Sequence, residues 1–179
     1  MRAHGQRILV LGLGNDILGD DAVGLLAARR LRASLPASVD VQESAGAGLD
    51  LLDVLEGYGG ALILDAIVTG AHPPGTVLEF SAADFREVVA PSPHFAGLPE
   101  LLQMARQLAI PFPETISVLA CEVADPYQIR EGLSPSADAA LPSLVARAER
   151  IVASWLSENG SPPSPEHSRR TREASGLDD

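Results

Sequence analysis

The chain contains no lysine, one cysteine, few aromatic side chains and no long apolar run, and each shortage removes a class of protein. All 13 basic residues are arginines, set against 24 acids, and the net charge of −11 opposes the phosphate neutralisation on which unspecific nucleic-acid binding rests. Aromatic residues make up 4% of the chain, too few for an interleaved aromatic and basic stripe that stacks single-stranded bases. Cys121 alone can build neither an internal disulfide nor a multi-cysteine metal centre. No apolar stretch approaches the roughly 20 residues that span a bilayer, and the N-terminus lacks the charged, apolar and small-residue order of a secretory signal. The expectation is a cytoplasmic protein that binds neither nucleic acid nor membrane and is stabilised by packing.

With 179 residues and 46% hydrophobic content, the chain has the material for one well-filled core. Arg7 to Leu13 is an apolar, partly β-branched run ending among glycines, which predicts a strand buried on both faces. Asp20 or Asp21 then stands where a helix cap belongs, and Val23, Leu26, Ala27 and Leu31 recur at helical spacing up to about Leu35, before Pro36. A second strand is expected over Val39 to Glu43, a helix over Gly48 to Leu55 and a third strand over Ala61 to Ile67. This alternation implies a mostly parallel sheet covered on both faces by helices. Beyond the turn His72-Pro-Pro-Gly75, Thr76 to Phe80 reads as an edge or antiparallel strand. Leu98 to Leu108 reads as a helix and Thr115 to Cys121 as the fifth strand. Ser134 and Pro135 open the last helical region, where Pro142 is expected in the first turn of a helix running to about Ser157, docked by Ile151 and Trp155. The reading is a three-layer α/β/α domain over residues 1–158, with a five-stranded twisted sheet. Residues 159–179, rich in Gly, Ser, Pro, Glu and Arg, are expected to be a disordered tail. No internal repeat or heptad pattern is present.

In an open parallel sheet, ligands bind beyond the carboxyl ends of the strands. The loop Gly12 to Gly19 leaves the first strand with glycines that permit tight turning, and Asp21 lies at its far end. The third strand delivers Asp65 at or beyond its last buried position, and His94 comes from the proline-stiffened loop Pro91-Ser-Pro93. Two carboxylates and an imidazole suit a borderline divalent ion such as nickel or zinc, with coordination positions left open. Each residue also has a plainer reading. An acid in a first helical turn answers the macrodipole, and Asp20 competes with Asp21 for the cap, which spacing leaves open. An Asp after a buried strand commonly makes a turn, and a lone loop His is commonly surface decoration. Gly12-x-Gly14 lacks the third glycine of a dinucleotide loop, and no phosphate loop, His-Glu-x-x-His or Gly-x-Ser-x-Gly occurs. Cys121 closes an apolar strand as an inert small hydrophobe, without a base beside it.

The motifs Gly12-Leu-Gly-Asn15, Gly19-Asp-Asp21-Ala-Val-Gly24, Leu64-Asp65-Ala-Ile67 and Ser92-Pro-His94 occur together, in an order and at separations that resemble the nickel-iron hydrogenase maturation proteases. Gly48-Leu-Asp-Leu-Leu52 and Gly132-Leu-Ser-Pro135 extend the resemblance over about Arg7 to Leu156. It implies an endopeptidase that removes a C-terminal extension from the hydrogenase large-subunit precursor after nickel insertion. It also implies that Asp21, Asp65 and His94 contact nickel held by the precursor, so no cofactor is stored, and that Gly14, Asn15, Gly46 and Gly48 shape the recognition loops. Asp65, with Asp21 second, is the carboxylate expected to activate water. Two departures stand out. Asp21 occupies a position where many relatives carry Glu, which shortens its reach by about 1.5 Å. Ala45-Gly-Ala-Gly48 replaces a loop in which relatives often carry Thr. Two other readings are a nickel chaperone without hydrolysis, which the absence of His-rich tracts disfavours, and a nucleotide-binding α/β protein.

Overall fold

The computed structural model describes residues 7–81, 84 and 98–157. The strands are β1 (Ile8–Leu13), β2 (Val39–Ser44), β3 (Gly60–Ile67), β4 (Val77–Ser81) and β5 (Thr115–Glu122). The helices are α1 (Val23–Ser34), preceded by a 3-10 turn over Gly19–Ala22, α2 (Asp50–Leu55), α3 (Leu98–Gln107) and α4 (Pro135–Ser157). Each strand and helix expected from the sequence is present within two residues at most ends.

The sheet runs β2-β1-β3-β5-β4, parallel throughout except for the edge strand β4, which pairs antiparallel with β5. The middle strands are apolar on both faces because both faces are covered. Ile8 and Val10 of β1 and Leu62 and Leu64 of β3 point to one side, where α1 and α4 bring Leu31, Leu144 and Trp155. Leu9, Leu11, Ile63 and Val118 point to the other, where α2 supplies Leu51 and Leu55. Each such leucine contributes about 1.5–3 kcal/mol on leaving water, so no disulfide is needed.

Three local expectations are corrected. Neither Asp20 nor Asp21 caps α1: the cap position is Ala22, without a side-chain cap bond, because the 3-10 turn takes both acids into a buried loop. Pro142 lies inside α4 and not in its first turn, which is opened by Pro135. The unbroken buried stripe of Ala137, Ala140, Leu141, Leu144 and Ala148 holds the helix through the proline, at the cost of one backbone hydrogen bond. Asp65 is not beyond the buried part of β3 but inside it, paired with Ala120, because β5 continues alongside β3 to Glu122. The expected disordered tail, residues 159–179, lies outside the described residues.

Candidate active site

The chain leaves β1 through α1 on one face to reach β2, then returns from β2 through α2 on the opposite face to β3 on the other side of β1, so the strand order reverses between β1 and β3. In folds of this kind ligands bind at that reversal, in the crevice beyond the carboxyl ends of the two strands. The β1–β3 register ends at Gly12 opposite Leu64, so Asp65 is the first residue of β3 past the paired segment of β1. Its side chain is buried, and Oδ1 accepts the Ala66 N–H at 2.8 Å, which orients the carboxylate.

Asp21 reaches the same end from the other direction. The turn Gly19–Ala22 packs against β3, and Asp21 is buried there. Two glycines make the approach possible. Gly14 has φ 141°, and a Cβ on it would lie 2.0 Å from the Asp21 carbonyl oxygen. A Cβ on Gly24 would lie 2.3 Å from the Leu64 carbonyl oxygen and 2.4 Å from that of Leu13, so the first turn of α1 rests directly on the end of β1 and on β3 next to Asp65. Any side chain at either position would push the acid-bearing turn off the sheet.

The loop between Gly14 and Asp21 is ordered by short-range bonds. Asn15 Oδ1 accepts the Ile17 N–H at 3.2 Å, and the Asn15 carbonyl accepts the Leu18 N–H at 3.1 Å. The Gly14 N–H donates to the Ser44 carbonyl at 3.2 Å, joining this loop to the one after β2. There the Gly46 N–H donates to Ser44 Oγ at 2.9 Å, and the Gly48 carbonyl accepts the Leu51 N–H at 3.2 Å to start α2. On the outer side Arg29 makes a two-pronged bond to Asp16, at 2.7 and 2.9 Å, and reaches Glu43 at 2.8 Å. The guanidinium holds the Asp16 carboxyl below the usual carboxylate range. These pairs are largely exposed, so they fix geometry more than they stabilise.

Sequence reasoning weighed Asp20 only as a helix cap and missed its burial and partner, and it passed over Glu122 altogether. Asp20 crosses to the start of α4, where Oδ1 accepts the Ser134 N–H at 2.5 Å, while Ser134 Oγ caps the helix by accepting the Ala137 N–H at 3.3 Å. Glu122 ends β5 fully enclosed and accepts three bonds: from the Thr69 N–H at 2.9 Å, the Thr69 hydroxyl at 2.7 Å and the Gly70 N–H at 2.9 Å. It thereby holds the loop that follows Asp65. The same signal marks both Asp65 and Glu122, a carboxylate embedded at the end of an apolar strand.

Cys121 is buried, and burial pushes its thiol up to about 11, in keeping with an inert role. A concavity of about 470 Å³ runs along β2 between Arg7, Arg32, Asp40 and Tyr58, at the amino ends of the strands and away from Asp21 and Asp65. Arg7 is ion-paired with Asp40 and stacked 4.6 Å over the Tyr58 ring, so this wall is internally satisfied. His94 and its flanking Ser92 and Pro93 lie outside the described residues. Among the described residues no group of three or more His, Cys, Asp or Glu side chains is arranged to hold a metal. Nor is any helix among them long and apolar enough to cross a membrane.

A doubly wound domain with two buried acids at its strand-order reversal is the class of molecule these features define. Residues 25–151 match the family model described as hydrogenase maturation protease. The chain is 32% identical over 162 residues to the hydrogenase 2 maturation protease of Escherichia coli (strain K12), covering 87% of this chain and 93% of that one. The structure of the hydrogenase maturating endopeptidase HybD from E. coli superimposes with a TM-score of 0.69 at 29% identity, over 86% of this chain and 94% of the other. HybD from Thermococcus kodakarensis, a nickel-iron hydrogenase maturation protease, gives 0.63 at 25% identity, over 81% and 98%. The protein belongs to the hydrogenase maturation protease family. It is an enzyme, a peptide-bond hydrolase.

Proposed function

We propose that the protein removes the C-terminal extension of a nickel-loaded nickel-iron hydrogenase large-subunit precursor, in the cytoplasm, and that Asp21, Asp65 and His94 read the nickel the precursor carries. The observation that carries this reading is the placement of two buried carboxylates, Asp21 and Asp65, at the strand-order reversal, where Gly14 and Gly24 bring the backbone close. Kinship with a relative named for hydrogenase 2 maturation supplies the substrate class. Carboxylate oxygens and one imidazole are donors suited to a borderline divalent ion with open coordination positions. The metal is part of the substrate. A precursor without it offers these groups nothing to bind, so loaded and empty forms are told apart by affinity.

Asp65 is the residue for the hydrolytic step. Its carboxylate takes a proton from a water molecule as the water oxygen attacks the scissile carbonyl carbon. The same proton then passes to the departing amine as the C–N bond breaks, leaving the carboxylate ionised for the next turnover. The Ala66 N–H on Oδ1 sets the direction of the group.

The test incubates purified protein with nickel-loaded and nickel-free precursor and measures the C-terminal mass of each product. Cleavage of the loaded form alone is expected. Asp65→Asn should retain precursor binding and lose cleavage, and full activity in that variant would remove Asp65 from the chemistry. If neither form is cut while nickel binds the isolated protein tightly, the protein acts as a nickel chaperone and the proteolytic reading is withdrawn.

A further inference from the structure

Among the described residues six large hydrophobic side chains are exposed, and five of them, Ile17, Leu49, Val68, Tyr127 and Ile129, follow the carboxyl ends of the parallel strands. Only Leu108 lies at the opposite end of the sheet. Isolated exposed apolar residues need no explanation, but three of these are built into one patch. An isolated parallel bridge joins Leu18 to Arg130, which sets the preceding residues, Ile17 and Ile129, side by side. Tyr127 is two residues away.

Two of them are held by side-chain bonds to their own backbone N–H, and Ile129 adjoins the bridged Arg130. Asn15 Oδ1 holds the Ile17 N–H, and Asp125 Oδ1 holds the Tyr127 N–H at 2.9 Å. Their exposures of 64%, 66% and 80% are those of side chains standing out from the surface. The patch is continuous with the site, because a Cβ on Gly19 would lie 2.4 Å from Arg130 Cγ, and Gly19 opens the turn that carries Asp21.

We propose that Ile17, Tyr127 and Ile129 form the docking surface for the folded large-subunit precursor, gripping an apolar area of that protein beside the root of its C-terminal extension. This rests on the reading of the crevice as the cleavage site. A protease that cuts one bond of a folded protein needs contacts beyond the scissile peptide, and large rigid side chains around a central site are the usual anchors of such contacts. A second copy of this chain fits the patch less well, since covering it would obstruct the crevice it borders.

The experiment compares wild type, the double variant Ile17→Asp with Ile129→Asp, and Leu108→Asp as a control on the far end of the sheet. Binding of nickel-loaded precursor is measured directly, alongside the kinetics of its cleavage. Exposed positions tolerate these changes, and a urea midpoint within error of wild type checks the fold. The double variant should raise the dissociation constant and KM roughly 30-fold while kcat at saturation stays within about twofold, and Leu108→Asp should change neither. Unchanged binding in the double variant, or an equal loss in Leu108→Asp, would overturn the docking surface. So would a wild-type dimer that the double variant dissolves without altering KM. Wild type that binds precursor without cutting it, with binding lost in the double variant, removes the proteolytic reading and keeps the docking surface. Wild type that does not bind the precursor removes both.

Discussion

Glu122 offers a demanding test of how the loop after Asp65 is held. Its carboxylate is enclosed by protein and accepts three hydrogen bonds from Thr69 and Gly70. Bonds to a charged acceptor contribute about 1.5–3 kcal/mol each, but the freed loop groups regain water once the carboxylate is gone, so Glu122→Ala should cost about 3–5 kcal/mol. Glu122→Gln keeps the volume and leaves one oxygen for the two backbone N–H groups, while the Thr69 hydroxyl turns to accept from the new amide. The charge is lost and the count of bonds is not, which predicts about 1–2 kcal/mol. Urea unfolding reads both: with a slope of about 1.5 kcal/mol per molar, the midpoint should fall by about 2–3 M for Ala and about 1 M for Gln. An Ala variant that loses less than about 1 kcal/mol would show that the three bonds are not what holds the loop. A Gln variant as damaged as Ala would show that acceptor count is not the governing quantity.

Other expectations follow from the same geometry. Gly24→Ala places a methyl group 2.3 Å from the Leu64 carbonyl oxygen and should lower the melting temperature by about 6–12 °C, for roughly 3 kcal/mol of overpacking, read by calorimetry. Asp20→Ala should cost about 1–3 kcal/mol by stranding the Ser134 N–H, whereas Asp20→Asn, which keeps an acceptor oxygen, should recover most of it; equal losses in chemical denaturation would refute the bond's importance. Cys121 should resist alkylation at pH 8 until urea is added. Its folded value of about 11 lies above the unfolded value, so its contribution to stability is complete below the unfolded value and lost as pH rises through the folded one. Removing the thiol with Cys121→Ala should therefore flatten the alkaline arm of the stability curve above about pH 9.

The architecture was legible in the sequence wherever burial leaves a one-dimensional trace. Runs such as Ile8–Leu13 and Thr115–Glu122 are apolar on both faces because helices cover both, and that shows in the order of residues. Asp65 and Asp21 became site candidates through the ordered motifs of the resemblance, since each acid alone had a plainer local reading as a cap or a turn. The fates of Asp20 and Glu122 were not legible. Local rules assign Asp20 to the helix it precedes, whereas its partner Ser134 stands at the start of another helix. Pro142 was misjudged for a related reason: the usual cost of an interior proline is local, and the buried stripe that outweighs it exists only after α4 has docked. The end of β3 was set by the length of β5, a strand more than 40 residues further on.

The Asp20–Ser134 bond spans 114 positions of sequence, and the Leu18–Arg130 bridge closes nearly as long a loop beside it. Contacts of such separation cannot form until the intervening chain has been made and brought back, and the entropy of closing long loops delays them further in folding. The turn that carries Asp21 is therefore tied down by α4, the helix furthest along the chain among the described residues. A nascent chain that has completed β1, α1 and β3 holds both acids but not the clamp that fixes one of them against the other. Fixing Asp21 against the sheet is in this sense a late event, complete only when α4 has been made and has docked.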